Sequence, residues 1–271
     1  MGLYHRPASI DAALAAIAER SWTLIAGATD HYPSRGDRLP DEDILDLSRV
    51  ISPAITSRPD HWHIPCTTTW SDLIAADLPP QFDALKQAAA QVGGRQVQNV
   101  GTIIGNLCNA SPAADGIPCL LALDATVEIA GPHGARRRPV ADFLLGPRKT
   151  ALQHGELVTG LAIPASPARA NFQKLGARRF LVISIAMVAL NAEFDPQGRI
   201  ATARLAIGAC GPVAIRLPEV EAALIGHLPD PTRLRPADFA ALSPIDDIRA
   251  PASYRRAAVL ELARRAVAAL A

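Results

Sequence analysis

Apolar positions near the start of the chain recur at the period of a helix. In "PASIDAALAAIAERS", Ile10, Leu14 and Ile17 share one face, Asp11 sits in the first turn, and Ser9 stands where an N-cap belongs. "WTLIAG" follows as a short buried strand and "ATDHYPSRGDRLPDED" (28–43) as a long polar loop. "ILDLSRV" (44–50) and "HWHIPCTTTW" (61–70) read as strands; the second alternates apolar and polar residues, and its Thr run favours extended backbone. "SDLIAADL" opens a helix with Ser71 as its cap, and "QFDALKQAAAQV" is an amphipathic helix stopped by Gly93-Gly94.

Further on, "ATVEIAGPHGARRRPV" resembles two strands around a Gly/Pro turn, "VADFLLGPRKTAL" a short helix then a loop, and "ELVTGLAIP" a strand ended by Pro164. "ASPARAN" (165–171) is a polar break. Beyond it, "FLVISIAMVALNAEF" and "RIATARLAIGAC" are long strands joined by "DPQGR". "LPEVEAALIG", "RPADFAAL" and "SYRRAAVLELARRAVAALA" close the chain as helices. The pattern predicts an α+β region to about residue 165 followed by a β-hairpin with helices, without internal repeats.

Composition narrows the function. The 271 residues are 49% hydrophobic and 20% charged, enough for a sizeable core in a soluble globular protein. A net charge of +1 supplies no global field toward nucleic acid or membrane. The basic cluster "ARRRP" (135–139) lacks interleaved aromatics and reads as a solvated hairpin end. No apolar run reaches the roughly 18 residues of a membrane span, and "MGLYHRPASIDAAL" lacks a signal-peptide core, so a cytoplasmic location is expected. Cys66, Cys108, Cys119 and Cys210 have neither zinc-knuckle nor iron–sulfur spacing and are expected as structural thiols. His61 and His63 read as structural, and Asp41, Glu42 and Asp43 as solvated loop charges.

Candidate chemistry lies in two glycine-bearing loops, "LIAGATDH" (Leu24 to His31) and "GTIIGN" (Gly101 to Asn106). A phosphate group needs several N–H donors in one concavity and no Cβ in the way; Gly gives the approach, Thr and Asn add donors. Neither loop matches G-x-G-x-x-G or G-x-x-x-x-G-K-[ST].

Read in order, "LIAGATD", "VGGRQVQNVGTIIGNLCNASPAADGIPCLLALDATVEI", "FLLGPRKTALQHGELVTGLAIP" and "FQKLGARR" resemble the FAD-binding medium subunit of molybdenum hydroxylases, the xanthine, carbon monoxide, aldehyde and N-heterocycle oxidoreductases. The resemblance runs from about Ser9 to Leu224 and is most specific between Asn99 and Asp124. It implies an α+β fold: a two-subdomain FAD-binding domain of the vanillyl-alcohol-oxidase (PCMH) type over 1–165, with subdomains of about 1–55 and 56–165, then a small α+β C-terminal domain over 170–271. It also implies that Leu24, Ile25, Ala26, Gly27, Ala28, Thr29 and Asp30 wrap the FAD pyrophosphate, with Thr102, Ile103, Gly105 and Asn106 directed toward phosphates and flavin. By the same resemblance Asn109 and Asp115 bind the nucleotide part, and Val158 and Lys174 line the flavin pocket.

The subunit so implied oxidises no substrate itself. A large subunit carries the molybdopterin cofactor, a small subunit carries two [2Fe-2S] clusters, and FAD in this chain passes electrons to an acceptor, in a dimer of heterotrimers. No catalytic residue and no metal site are expected in this chain. A scaffold subunit with a degenerate flavin site is the alternative; a stand-alone flavin oxidase lacks an evident base or flavin tether.

The sequence departs from the family's A-G-G-T-D and T-I-G-G-N at Ala28 and Ile104, and has Pro147 where Tyr is frequent. Ala28 is the milder change because its Cβ is small. A β-branched Ile104 disfavours positive φ and occupies space beside a phosphate. Three arrangements satisfy the sequence: negative φ with Ile104 turned away, a rerouted loop that keeps FAD, or a lost site.

Overall fold

The computed structural model describes residues 2–36, 41–179 and 181–271. The N-terminal part holds two sheets. A small parallel one has Ile44–Asp46 between Tyr4–His5 and Thr23–Ile25, with the helix Ile10–Glu19 crossing between the outer strands. The Ser9 side chain accepts from the Ala12 N–H, the cap the sequence indicates. A five-stranded antiparallel sheet runs Thr56–Ser57, His61–Pro65, Leu157–Pro164, Thr126–Gly131, Gly134–Pro139. His63 reaches across the middle strand at Gly160 to Glu128, Nδ1 to Oε2 2.9 Å. A Cβ on Gly160 would lie 2.6 Å from the His63 ring, so only glycine fits beneath that contact.

The C-terminal part is an antiparallel sheet, Arg169–Leu175, Ala186–Phe194, Ile200–Gly208, Ile215–Arg216. Its alternation divides the core in two. Phe172, Met187, Ala189 and Ala206 pack into the N-terminal core, while Val188, Leu190, Leu205 and Ile207 pack under the terminal helix Ala252–Ala268. Polar ties cross the same boundary: Asn191 Nδ2 donates to the Gln81 carbonyl and Phe172 N–H to Gln87 Oε1.

Several expectations are corrected. The strand at 61–70 stops at Pro65, because Thr69 caps the helix Trp70–Ala75 and exchanges hydrogen bonds with Asp72, a capping box that outweighs the β preference of the Thr run. Ser71 is therefore inside that helix and donates to Asn99 Oδ1. The helix Asp83–Ala89 ends before Gly93, whose φ of +53° serves the following turn. "ILDLSRV" is strand only over Ile44–Asp46, and "FLVISIAMVALNAEF" only from Ala186. Residues 37–40 of the expected polar loop, and Phe180, lie outside the described residues. Among the loop acids, Glu42 pairs with Arg35, and Asp43 accepts from Arg20 and from the Leu3 N–H. The largest correction falls on the segment 95–122, where "GTIIGN" (101–106) is expected as a loop. It folds as three short helices, Arg95–Val100, Ile103–Asn109 and Gly116–Ala122.

Candidate functional site

Both glycine-bearing segments converge on one cavity of about 640 Å³, within the usual range of roughly 300–1,000 Å³ for small-molecule sites. The first segment leaves the strand Thr23–Ile25 and turns back on itself, Tyr32 N–H reaching the Ala28 carbonyl at 3.3 Å. The second is pinned to the capping box: Trp70 N–H donates to the Gly101 carbonyl and Ile103 N–H to the Thr68 carbonyl, each at 3.1 Å. Thr102 then caps the helix Ile103–Asn109, its Oγ accepting from Gly105 N–H at 2.9 Å.

Glycine is needed here chiefly because the two segments touch. A Cβ on Gly27 would stand 2.0 Å from the Val100 carbonyl oxygen and 2.7 Å from the Gly101 Cα. The left-handed position is the neighbouring Ala28, φ +52°, where an L-residue costs roughly 1–2 kcal/mol. Ile104 has the opposite character. It lies in the first turn of a helix, outside the positive-φ region, 5% exposed, packed into the N-terminal core and away from the cavity. Of the three arrangements the sequence leaves open, the backbone adopts the first.

All the expected site residues line this cavity except Ile103, Asp115, Val158 and Lys174. Leu24, Ile25, Ala26, Gly27, Ala28, Thr29 and Asp30 form one wall; Thr102, Gly105, Asn106 and Asn109 form the other. Ile103 and Val158 are core residues, because the capped helix turns Ile103 inward and the strand Leu157–Pro164 buries Val158. Lys174 and Asp115 form a separate buried pair, Nζ to Oδ2 2.5 Å, with Ser184 Oγ donating to the other carboxylate oxygen at 2.5 Å. Burial pushes the Asp115 carboxyl above its ordinary range, against the pull of Lys174 and Ser184. Gly116, which follows Asp115, packs against the cavity wall: a Cβ on it would meet Asn106 Oδ1 at 3.0 Å.

The walls suit an oxygen-rich anion. Neither the Thr29 hydroxyl nor the Asn106 amide has a hydrogen-bond partner among the described residues, and both residues line the cavity, with the Asn106 carboxamide oxygen lying beside Gly116. Leu24, Ile25, Val92, Val97 and Trp70 give the apolar part of the lining. Ser34, Trp70, Val92, Val97, Cys108 and Arg148 line the cavity outside the sequence-based candidates, and His31 and Gly101 fall within the two quoted loops without an assigned role. Ser34 lies just past the first loop, and Arg148 stands beside Pro147 in "GPRKTAL". All four cysteines are free, and burial pushes the Cys108 thiol up to about 12.

The cavity between two glycine-bearing segments, fronting an α+β core, has the size and the mixed polar and apolar lining of a cofactor site. The chain belongs to the family described as "FAD binding domain in molybdopterin dehydrogenase", matched over residues 1–166, with "CO dehydrogenase flavoprotein C-terminal domain" matched over 171–270. It is 32% identical over 230 residues to the xanthine dehydrogenase FAD-binding subunit of Escherichia coli O157:H7, covering 80% of this chain and 77% of that one. It is 29% identical over 273 residues to the carbon monoxide dehydrogenase medium chain of Afipia carboxidovorans, covering 97% and 94%. A solved carbon monoxide dehydrogenase from Oligotropha carboxidovorans superposes with a TM-score of 0.92 at 27% identity, over 99% of this chain and 96% of that one.

Proposed function

We propose that this chain is the FAD-carrying subunit of a molybdenum hydroxylase and that the cavity between residues 24–31 and 101–109 holds the FAD diphosphate. The observation that carries the reading is the pair of unpartnered polar side chains, Thr29 and Asn106, one on each wall of the cavity, where Gly27 packs against the backbone of Val100 and Gly101. When bound, FAD would supply one- and two-electron transfer, which lets such a subunit join a metal-centred oxidation to an external acceptor. The chain's own residues bind and orient: the Thr and Asn side chains donate to oxygens, Leu24 and Ile25 exclude water, and the buried Asp115–Lys174–Ser184 cluster stiffens the wall behind Asn106.

A large molybdopterin subunit and a small [2Fe-2S] subunit, assembled as a dimer of heterotrimers, belong to the same proposal, supported by the medium-chain relatives. A cytoplasmic setting also belongs to it, supported by the four free thiols. No described helix is long and apolar enough to cross a membrane. The scaffold reading loses its motive, since Ile104 does not face the cavity. Co-purification from the native host followed by flavin, iron and molybdenum analysis tests the proposal. One FAD per chain with both metals is expected, and a metal-containing complex without flavin would overturn it.

A further inference from the structure

We infer that Arg148 is a diphosphate-binding residue of this site, held ready by a relay through Asn109 to Asp30; the inference rests on the reading that the cavity holds FAD. Arg148 is the only lysine or arginine among the described residues lining the cavity. A diphosphate carries two negative charges, and the remaining wall offers neutral donors, a histidine and the carboxylate of Asp30. Charge-assisted hydrogen bonds from a guanidinium are about twice as strong as neutral ones and match phosphate geometry.

The backbone marks this residue independently of its charge. Gly146 pairs with Lys149 across the hairpin of Leu144–Gly146 and Lys149–Thr150, so Pro147-Arg148 is its two-residue turn. Proline first and positive φ second is the pattern of a type II turn, whose second position ordinarily takes Gly or Asn. Here it is arginine at φ +58°. The strain of roughly 1–2 kcal/mol is borne by an L-residue that glycine would relieve, which points to a task for the side chain.

That side chain is aimed. Arg148 N–H donates to the Ala110 carbonyl at 2.9 Å, fixing the turn on the C-terminal end of the helix Ile103–Asn109, where Ala110 is itself left-handed at φ +46°. Arg148 Nη1 donates to Asn109 Oδ1, and Asn109 Nδ2 donates to Asp30 Oδ2. The relay ties the hairpin to both walls and engages Asp30, the one carboxylate that would repel the ligand. The other guanidinium N–H groups of Arg148 have no partner among the described residues.

The test uses the full chain freed of flavin, titrated with FAD, ADP and riboflavin for the natural sequence, Arg148→Gly, Arg148→Lys and Thr29→Val/Asn106→Leu. Arg148→Gly is expected to weaken FAD and ADP by about tenfold or more, to leave riboflavin within twofold, and to raise the melting temperature of the flavin-free chain. Arg148→Lys should lose less, since it keeps the charge without the fork. A purely structural latch would move stability and affinity together, so opposite movement separates the two roles. FAD and ADP affinities within twofold for Arg148→Gly, with Thr29→Val/Asn106→Leu strongly impaired, would overturn the role of Arg148 while the cavity reading stands. Undiminished FAD binding by Thr29→Val/Asn106→Leu would remove the cavity reading and this inference with it.

Discussion

The two glycine-bearing segments look alike in sequence and are built on different physics. In 24–31 the chain turns sharply after a strand, and the constraints lie in the backbone: Ala28 is held left-handed, while Gly27 is pressed against the other segment's backbone. In 101–109 the chain enters a helix, and the constraint is packing: Thr102 caps, Ile104 fills the core, and Gly105 keeps its N–H close to the Thr102 hydroxyl. A missing glycine therefore means different things in the two places. Ala28 carries strain without filling space in the core. Ile104 fills the core without strain.

The sharpest break of that contrast is Ile104→Gly. If Ile104 obstructed the cofactor, this change would raise flavin content. A buried branched side chain lost from a helix costs about 3–5 kcal/mol, so the expected outcome is a much less stable chain with no gain in flavin per folded molecule; thermal unfolding and absorbance read both. Gly27→Ala comes next. Its methyl would overlap the Val100 carbonyl, and overpacking of about 1–3 kcal/mol together with a marked loss of bound FAD is expected from the same two measurements.

Smaller effects sharpen the comparison. Thr102→Val removes the cap and should cost about 1 kcal/mol in denaturant unfolding. Ala28→Gly should act in the opposite direction, stabilising by about 0.5–1 kcal/mol, because relief of the left-handed strain exceeds the added unfolded-state entropy. The smallest effect is chemical. Cys108 lines the cavity, yet its thiol is pushed up to about 12 by burial, so at pH 8 it stays protonated. Alkylation of the native chain is expected to be slow and to rise only on unfolding, as mass spectrometry would follow.

The sequence made legible what depends on local pattern. The Ser9 cap, the hairpin over 126–139 and the strand Leu157–Pro164 all follow from periodicity and turn residues. The first wall of the site was legible only through the family resemblance, which its one unbroken run makes easy to see. The second wall was only half legible. Thr102 stands among the expected phosphate-directed residues, and its further role as a cap is not announced because its donor, Gly105 N–H, belongs to a seven-residue helix too short to show a period. Ile103 and Ile104 are adjacent apolar residues, and only the cap reveals that both turn inward. Lys174 and Asp115 are 59 positions apart, so nothing local announces that they neutralise each other. Arg148 escaped for a related reason: its value comes from a turn conformation and from Asn109 and Asp30, which the sequence keeps far away.

The central claim is that the contact between 24–31 and 101–109 forms the FAD diphosphate site. Equilibrium FAD binding by the flavin-free full chain, natural sequence against Thr29→Val/Asn106→Leu, tests it most directly. The account expects tight binding by the natural chain and a loss of about tenfold or more in the variant, with little change in unfolding behaviour, because two donors on the cavity walls are removed and no hydrogen bond within the protein is broken. Equal FAD affinity in the two proteins would contradict it.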